Sequence, residues 1–162
     1  MRNIIIIILF PLLSLSQERD TRFAFMATGV DPGNAIYGSK VNEPAYNGSY
    51  SIGFRDRGFQ LQATYQVFTA INFKAVEVYA GKVFNYGRRF NYVALAGVSM
   101  IQRKVNWLNQ ELHPALNLQG KIEYHFNNTF FVFGLGEFCY RGDIQELVPS
   151  GRIGVAVKLF NR

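Results

Sequence analysis

Between Ala115 and Arg141 the chain alternates apolar and polar residues in two long segments that fold back across Asn127-Asn128. In the first arm Leu116, Leu118, Ile122, Tyr124 and Phe126 share one face with Gly120, and Asn117, Gln119, Lys121, Glu123 and His125 occupy the other. Side chains alternate across a strand with a period of two, so the pattern predicts one ribbon, apolar on one side and polar on the other. Strands of soluble domains are usually about 5–6 residues long. This arm is nearer the roughly 9–11 residues that cross a hydrocarbon layer at a tilt.

The same unit recurs along the chain. Strands are predicted from about Arg22 to Gly29, Tyr46 to Arg55, Phe59 to Val67, Lys74 to Phe84, Phe90 to Arg103, Ala115 to Phe126, Phe130 to Arg141 and Arg152 to Phe160. The third is the cleanest, with Phe59, Leu61, Ala63, Tyr65 and Val67 against Gln60, Gln62, Thr64 and Gln66. The fifth is apolar on both faces in its middle, which leaves its register open. Short turns are predicted at Asp56-Arg57-Gly58, Asn85 to Arg89 and Asn127-Asn128, and long loops at Asp31 to Ala45, Asn106 to Pro114 and Gly142 to Gly151. These contain the Gly, Pro and Asn that punctuate turns. The connection Thr69 to Phe73 is short where the alternation would place a long one.

An even number of amphipathic strands predicts an all-β fold, an eight-stranded antiparallel up-and-down transmembrane barrel. In a bilayer every backbone group must pair internally, so a spanning sheet must close. Eight strands leave an interior just wide enough for side chains. The expected lumenal polar residues are Arg22, Arg55, Glu77, Lys121, Glu123, His125, Glu137, Arg141 and Lys158, with Arg152 on the same face. Buried charges must pair, so these predict a network that plugs the barrel. Phe59, Phe84, Phe90, Tyr124, Phe126 and Phe130 beside the short turns, and Tyr46, Tyr50, Phe68, Phe138 and Tyr140 toward the long loops, predict two aromatic girdles.

The first sixteen residues read differently. Arg2 precedes the apolar run Ile4 to Leu13 and the small residues Ser14-Leu15-Ser16, the pattern of a secretory signal peptide ahead of Gln17. That divides the chain into 1–16, a signal peptide, and 17–162, the barrel domain. Removing Arg2 lowers the net charge from +6 to +5. No basic cluster or aromatic-basic module accompanies that surplus, so nucleic acid is not an expected partner. Cys139 is the only cysteine, which excludes an internal disulfide. No Cys/His/carboxylate set has metal-ligand spacing, and no cofactor is implied. Gly134-x-Gly136 lies within a strand, where it is expected to allow close packing.

On these residues the mature chain resembles the small outer-membrane β-barrels of the OmpA/OmpX type, in particular the short "outer membrane protein beta-barrel" chains of Bacteroidetes. The most specific match is the last strand: Arg152, Gly154, Val157 and Leu159 fit the β-signal order of polar, glycine and two hydrophobic positions, although the chain continues to Asn161-Arg162 past the usual terminal aromatic. The resemblance implies a bacterial outer-membrane location, insertion by the barrel-assembly machinery, contact with lipid and lipopolysaccharide, and a structural or loop-mediated role without catalysis. A lipopolysaccharide-contacting rim is expected at Lys40, Lys74, Arg103 and Lys104, with Arg141 and Arg152 near it, and a protein partner at the loop bearing Ile36, Tyr37 and Val41. Lipid A deacylases are similar barrels with a His-x-Ser pair and a neighbouring carboxylate. Here His125-Phe126-Asn127 lacks the hydroxyl, which removes the acyl-enzyme route through that position, with Glu137 as the carboxylate. Lys104-Val105-Asn106-Trp107 is faintly similar to the TraO-type barrels of conjugative DNA transfer. A soluble barrel of the lipocalin kind would show the same alternation turned inside out, but its Gly-x-Trp near the first strand is missing, since Trp107 lies in the third loop.

Overall fold

The computed structural model describes residues 22–33, 46–69, 72–106, 109–142 and 144–161. Eight strands follow one another as β1 Arg22–Val30, β2 Asn47–Asp56, β3 Phe59–Phe68, β4 Phe73–Phe84, β5 Phe90–Asn106, β6 Asn109–His125, β7 Phe130–Arg141 and β8 Glu146–Asn161. Each pairs antiparallel with the next, and β1 pairs with β8 from Phe23↔Asn161 to Val30↔Ile153, closing the barrel. The proposed signal peptide and the residues Lys40, Ile36, Tyr37, Val41 and Trp107 lie outside the described residues.

The two faces decide which solvent the wall meets. Leu112, Leu116 and Leu118 are more than 60% exposed, whereas Gln60, Glu123 and Arg55 are at most 1% exposed. A soluble barrel would reverse these, because buried polar groups and a continuous exposed apolar surface are the informative exceptions to normal burial. An apolar exterior around a paired, polar interior is the solution a bilayer imposes. The lipocalin alternative is thereby excluded.

Aromatic girdles mark both ends of the wall. At the turn end the rings of Phe90, Tyr124, Phe126 and Phe130 follow one another at centroid distances of 4.8, 4.9 and 5.7 Å. Tyr46, Tyr50, Phe138 and Tyr140 are exposed at the loop end. Phe68 does not join them; it turns inward and packs with Phe73, Ala75, Ile101 and Ala115.

Strand one is inverted relative to the sequence reading. Phe23 and Phe25 point into the lumen, packing with Phe131, and Arg22 faces outward. Its side chain is 60% exposed and reaches Asp56 at 3.9 Å. The two faces of β1 differ little in polarity, so alternation alone does not orient them. An arginine at a strand's first residue can carry its stem along apolar surface and keep its head in water.

Two predicted loops are largely strand among the described residues. β5 and β6 remain paired to Asn106↔Asn109, and β7 and β8 to Arg141↔Glu146. The ribbons therefore continue past the point where β4 and β1 begin their loop-end connections.

The glycines divide by face. A Cβ on Gly81 would lie 2.0 Å from the Ala94 carbonyl oxygen and 2.8 Å from Leu95 Cα, backbone atoms that cannot rotate away. Gly134 and Gly136 do the opposite of the close packing expected of them: a Cβ there meets nothing within 4 Å, and both face outward. Gly81→Ala should cost about 1–3 kcal/mol, the usual penalty of overpacking, while Gly134→Ala should be close to neutral. Urea titration of the heat-modifiable folded band on gels measures both.

Candidate functional site

The lumen is closed by two bonded knots stacked along the barrel axis. Near the turn end, Glu123 is the anchor. Its carboxylate accepts from Arg55 Nη2 at 2.8 and 2.9 Å and lies 3.9 Å from Lys121 Nζ and 3.2 Å from His125 Nε2. β2 and β6 supply these residues from across the barrel, so the knot ties opposite walls. Arg55 also donates to Gln60 Oε1. The Asn91 amide turns its oxygen toward Arg55 and His125, at 3.2 and 2.9 Å, and its nitrogen toward the carbonyls of Asn85 and Phe90. Aromatic rings fill the remaining space: His125 stacks on Phe131 at 4.5 Å, and Arg55 lies over Phe23 at 5.1 Å.

The second knot lies toward the loop end. Arg152 Nη2 donates to Glu137 at 3.1 Å and to Gln66 Oε1 at 3.0 Å, with Glu77 4.0 Å from Nη1. Tyr79 Oη sits between the two carboxylates, 3.1 Å from Glu77 and 3.0 Å from Glu137. Gln119 donates to Glu137 at 3.1 Å. β4, β6, β7, β8 and β3 all contribute, because inward positions from neighbouring strands meet at one level. Gln62 joins the knots' surroundings. It accepts from Lys121 at 2.9 Å and from Gln60 at 3.0 Å, and donates to Thr64 at 2.8 Å.

Eight of the nine lumenal residues expected from sequence are therefore buried in the interior: Arg55, Glu77, Lys121, Glu123, His125, Glu137, Arg141 and Lys158. Arg22 is the exception, for the reason given above. Arg141 and Lys158 lie over the rings of Phe73 and Phe23 at 5.3 and 4.7 Å, in cation–aromatic geometry. Arg141 and Arg152 consequently do not belong to the outer rim. Arg152 is the hub of the second knot, with Tyr79 and Gln66 as its companions. For Gln66, the strict polar spacing with Gln60 and Gln62 was the available signal.

The arrangement pairs buried charge across the lumen. His125 and Glu137, the pair on which a deacylase reading depends, occupy different knots. His125 is paired with Phe131, and at about 3.3 Å per residue Glu137 lies roughly 20 Å farther along β7. Among the described residues no group of His, Cys, Asp and Glu could hold a metal ion.

At the loop-end rim, Lys74 is exposed beside a cleft of about 170 Å³ lined by Phe68, Thr69, Asn72 and Gln102. Arg103 and Lys104 lie on β5, where Arg103 pairs with Phe73 and Glu111. On β8, Arg152 turns inward, while Val157 and Leu159 face outward. The intervening Gly154 leaves room for the Thr28 carbonyl and the Phe133 ring, which a Cβ would meet at 2.2 and 2.5 Å.

No protein-family model matches the chain, and no curated protein sequence matches it. Solved structures do. The outer membrane protein Ail of Yersinia pestis, determined in a phospholipid bilayer nanodisc, is similar with a TM-score of 0.59 at 12% identity, over 85% of this chain and 99% of Ail. Neisserial surface protein A is similar with a TM-score of 0.52 at 14% identity, over 85% of this chain and 94% of its own. A de novo designed transmembrane β-barrel matches with a TM-score of 0.54 at 12% identity, over 90% and 100% of the two chains. The fold is the eight-stranded transmembrane barrel of small outer-membrane proteins.

Proposed function

We propose that the chain is a small integral protein of the bacterial outer membrane that works as a sealed scaffold for its loop-end hairpins, without catalysis. The carrying observation is the pair of knots: Arg55–Glu123 and Arg152–Glu137 join opposite and neighbouring walls, at 2.8 and 3.1 Å, on one narrow axis. A pore would need that axis open. Function then belongs to the rim, since binding residues concentrate in segments held by a rigid framework. The order of Arg152, Gly154, Val157 and Leu159 along β8, with Gly154 on the lumenal face and Val157 and Leu159 facing outward, supports insertion by the barrel-assembly machinery and a place among the OmpA/OmpX-like chains of Bacteroidetes.

The test is electrical. Reconstituted into planar bilayers, the barrel should give no steady ion current at moderate voltage. A persistent unitary conductance would replace the scaffold reading with a channel.

Lipopolysaccharide is the contact proposed for the outer rim, where exposed Lys74 stands beside a cleft that Thr69, Asn72 and Gln102 line together with Val67, Phe68 and Phe73. Ail, of the same fold, has been crystallised with the heparin analogue sucrose octasulfate, so this architecture accommodates polyanions. Replacing Lys40, Lys74, Arg103 and Lys104 together by Gln should reduce lipopolysaccharide co-purification. Unchanged co-purification removes that contact and leaves the scaffold intact.

A further inference from the structure

The second knot has more acceptors than hydrogens. Glu77 and Glu137 are 2% and 3% exposed, and among the described residues Arg152 is the one cation paired with either. Two carboxylates against one guanidinium leave a negative charge uncancelled in a buried site, which is costly. The phenol between them meets the same shortfall. Tyr79 Oη lies 3.1 Å from Glu77 Oε2 and 3.0 Å from Glu137 Oε2. A phenol carries one hydrogen and an ionised carboxylate carries none. Tyr79 can therefore donate to one of these oxygens. The other contact sets lone pair against lone pair unless a second hydrogen is present.

The surrounding donors distinguish the two carboxyls. Glu137 Oε2 also accepts from Arg152 Nη2 and Gln119 Nε2, both at 3.1 Å. Glu77 has no such support. The Arg152 guanidinium passes it with Nη1 at 4.0 Å and gives its hydrogen bonds to Glu137 and Gln66. Arg152 Nε makes no hydrogen bond, and neither does the buried hydroxyl of Ser99, which the β4–β5 register sets directly across from Glu77. Opposed side chains on one face of a ladder stand about 4.5–5.5 Å apart at Cβ, within a hydroxyl's reach. A buried carboxylate draws such donors to itself, because bonds to an ionised acceptor are the strong ones. Here they stay unused. The rest of the wall around Glu77 brings no charge: Thr64 faces it from β3, and Gln119 reaches Glu137 from β6. Arg141, farther along β7, lies over the Phe73 ring.

From the phenol held between two carboxylates and the idle donors beside one of them, we propose that the second knot is a proton-binding latch, with the proton on Glu77. Glu77 Oε2–H donates to Tyr79 Oη, and the Tyr79 hydrogen goes to the Glu137 carboxylate, which Arg152 neutralises. The proton comes from water and returns to water when it leaves. While it is bound, the relay ties β4 to β7 and β8 with no charge left over. Once it is lost, Tyr79 keeps one of two anions and the other is repelled, so the link between β4 and the knot is the one that opens.

Infrared spectroscopy of the full chain, folded at neutral pH in dodecyl maltoside, a detergent without a carbonyl group, tests this. The unaltered chain should show the carbonyl stretch of a neutral carboxylic acid, moved to lower frequency when the chain is folded from D2O. Glu77→Gln, whose amide can donate to Tyr79 as the acid does, should remove that band and leave the urea midpoint unchanged. Glu137→Gln, which takes the anion from Arg152, should lower the midpoint. Tyr79→Phe should move the band to higher frequency, since the acid loses its acceptor. Heat-modifiability on gels establishes that each variant is folded. Four results overturn the proposal: no neutral-acid band in the unaltered chain, a band that survives Glu77→Gln, a band that Tyr79→Phe leaves in place, or a midpoint that Glu77→Gln lowers as far as Glu137→Gln does.

Discussion

Glu123→Leu should lower the unfolding free energy by about 3–5 kcal/mol, the usual result of stripping the partner from a buried charge. The carboxylate is 0% exposed and lies between Arg55, Lys121 and His125. Its removal leaves Arg55 with Gln60 and Asn91 as its remaining polar contacts, and Lys121 with Gln62. Glu123→Gln should cost less, since an amide oxygen still accepts from Arg55. Urea unfolding in lipid vesicles, followed by the gel shift between folded and unfolded forms, reads both. An unchanged midpoint for the leucine variant would mean that the turn-end knot contributes nothing to stability.

Val78→Arg should cost about 2–4 kcal/mol, the penalty for a cation facing lipid near the bilayer midplane. Val78 is 53% exposed and lies midway between Lys74 and Lys82 on the outward face of β4, opposite Ala63 and Val98. Leu147→Arg, at the loop-end extension of β8, should cost about 0–1 kcal/mol because the charge reaches the interface. The same unfolding assay separates them. Equal costs at the two positions would contradict the assignment of the membrane band.

How much of this was legible follows from where the solvent enforces contrast. β6 was readable because lipid selects Leu116, Leu118 and Ile122 on one face while the knots select Gln119, Lys121 and Glu123 on the other. β5 was not, since its inward Val93 and Leu95 pack against Tyr79 and Val83, giving it an apolar lumenal face as well. β1 failed for a related reason: Phe23 and Phe25 serve the lumen as aromatic filler. The extensions of β5, β6 and β8 were hidden because backbone pairing continues beyond the wall, where nothing requires alternation. Pro114 and Pro149 then read as loop, although both occupy strands. For the site, polarity located the buried charges, but which of them meet depends on the climb of hydrogen-bonded rows around the barrel. That climb brings Arg152 to Glu137 and Glu77, a juxtaposition no local spacing records.

The seam between β1 and β8 bears on how the molecule is made. Its partners, Phe23 with Asn161 and Val30 with Ile153, come from the first and last strands. Until β8 emerges, the growing sheet has two open edges, each a template for pairing with another chain. Contacts of such long sequence separation also form late and slowly. The nascent polypeptide therefore depends on being kept unpaired in transit, and closure of this one seam is the event that ends its exposure to aggregation.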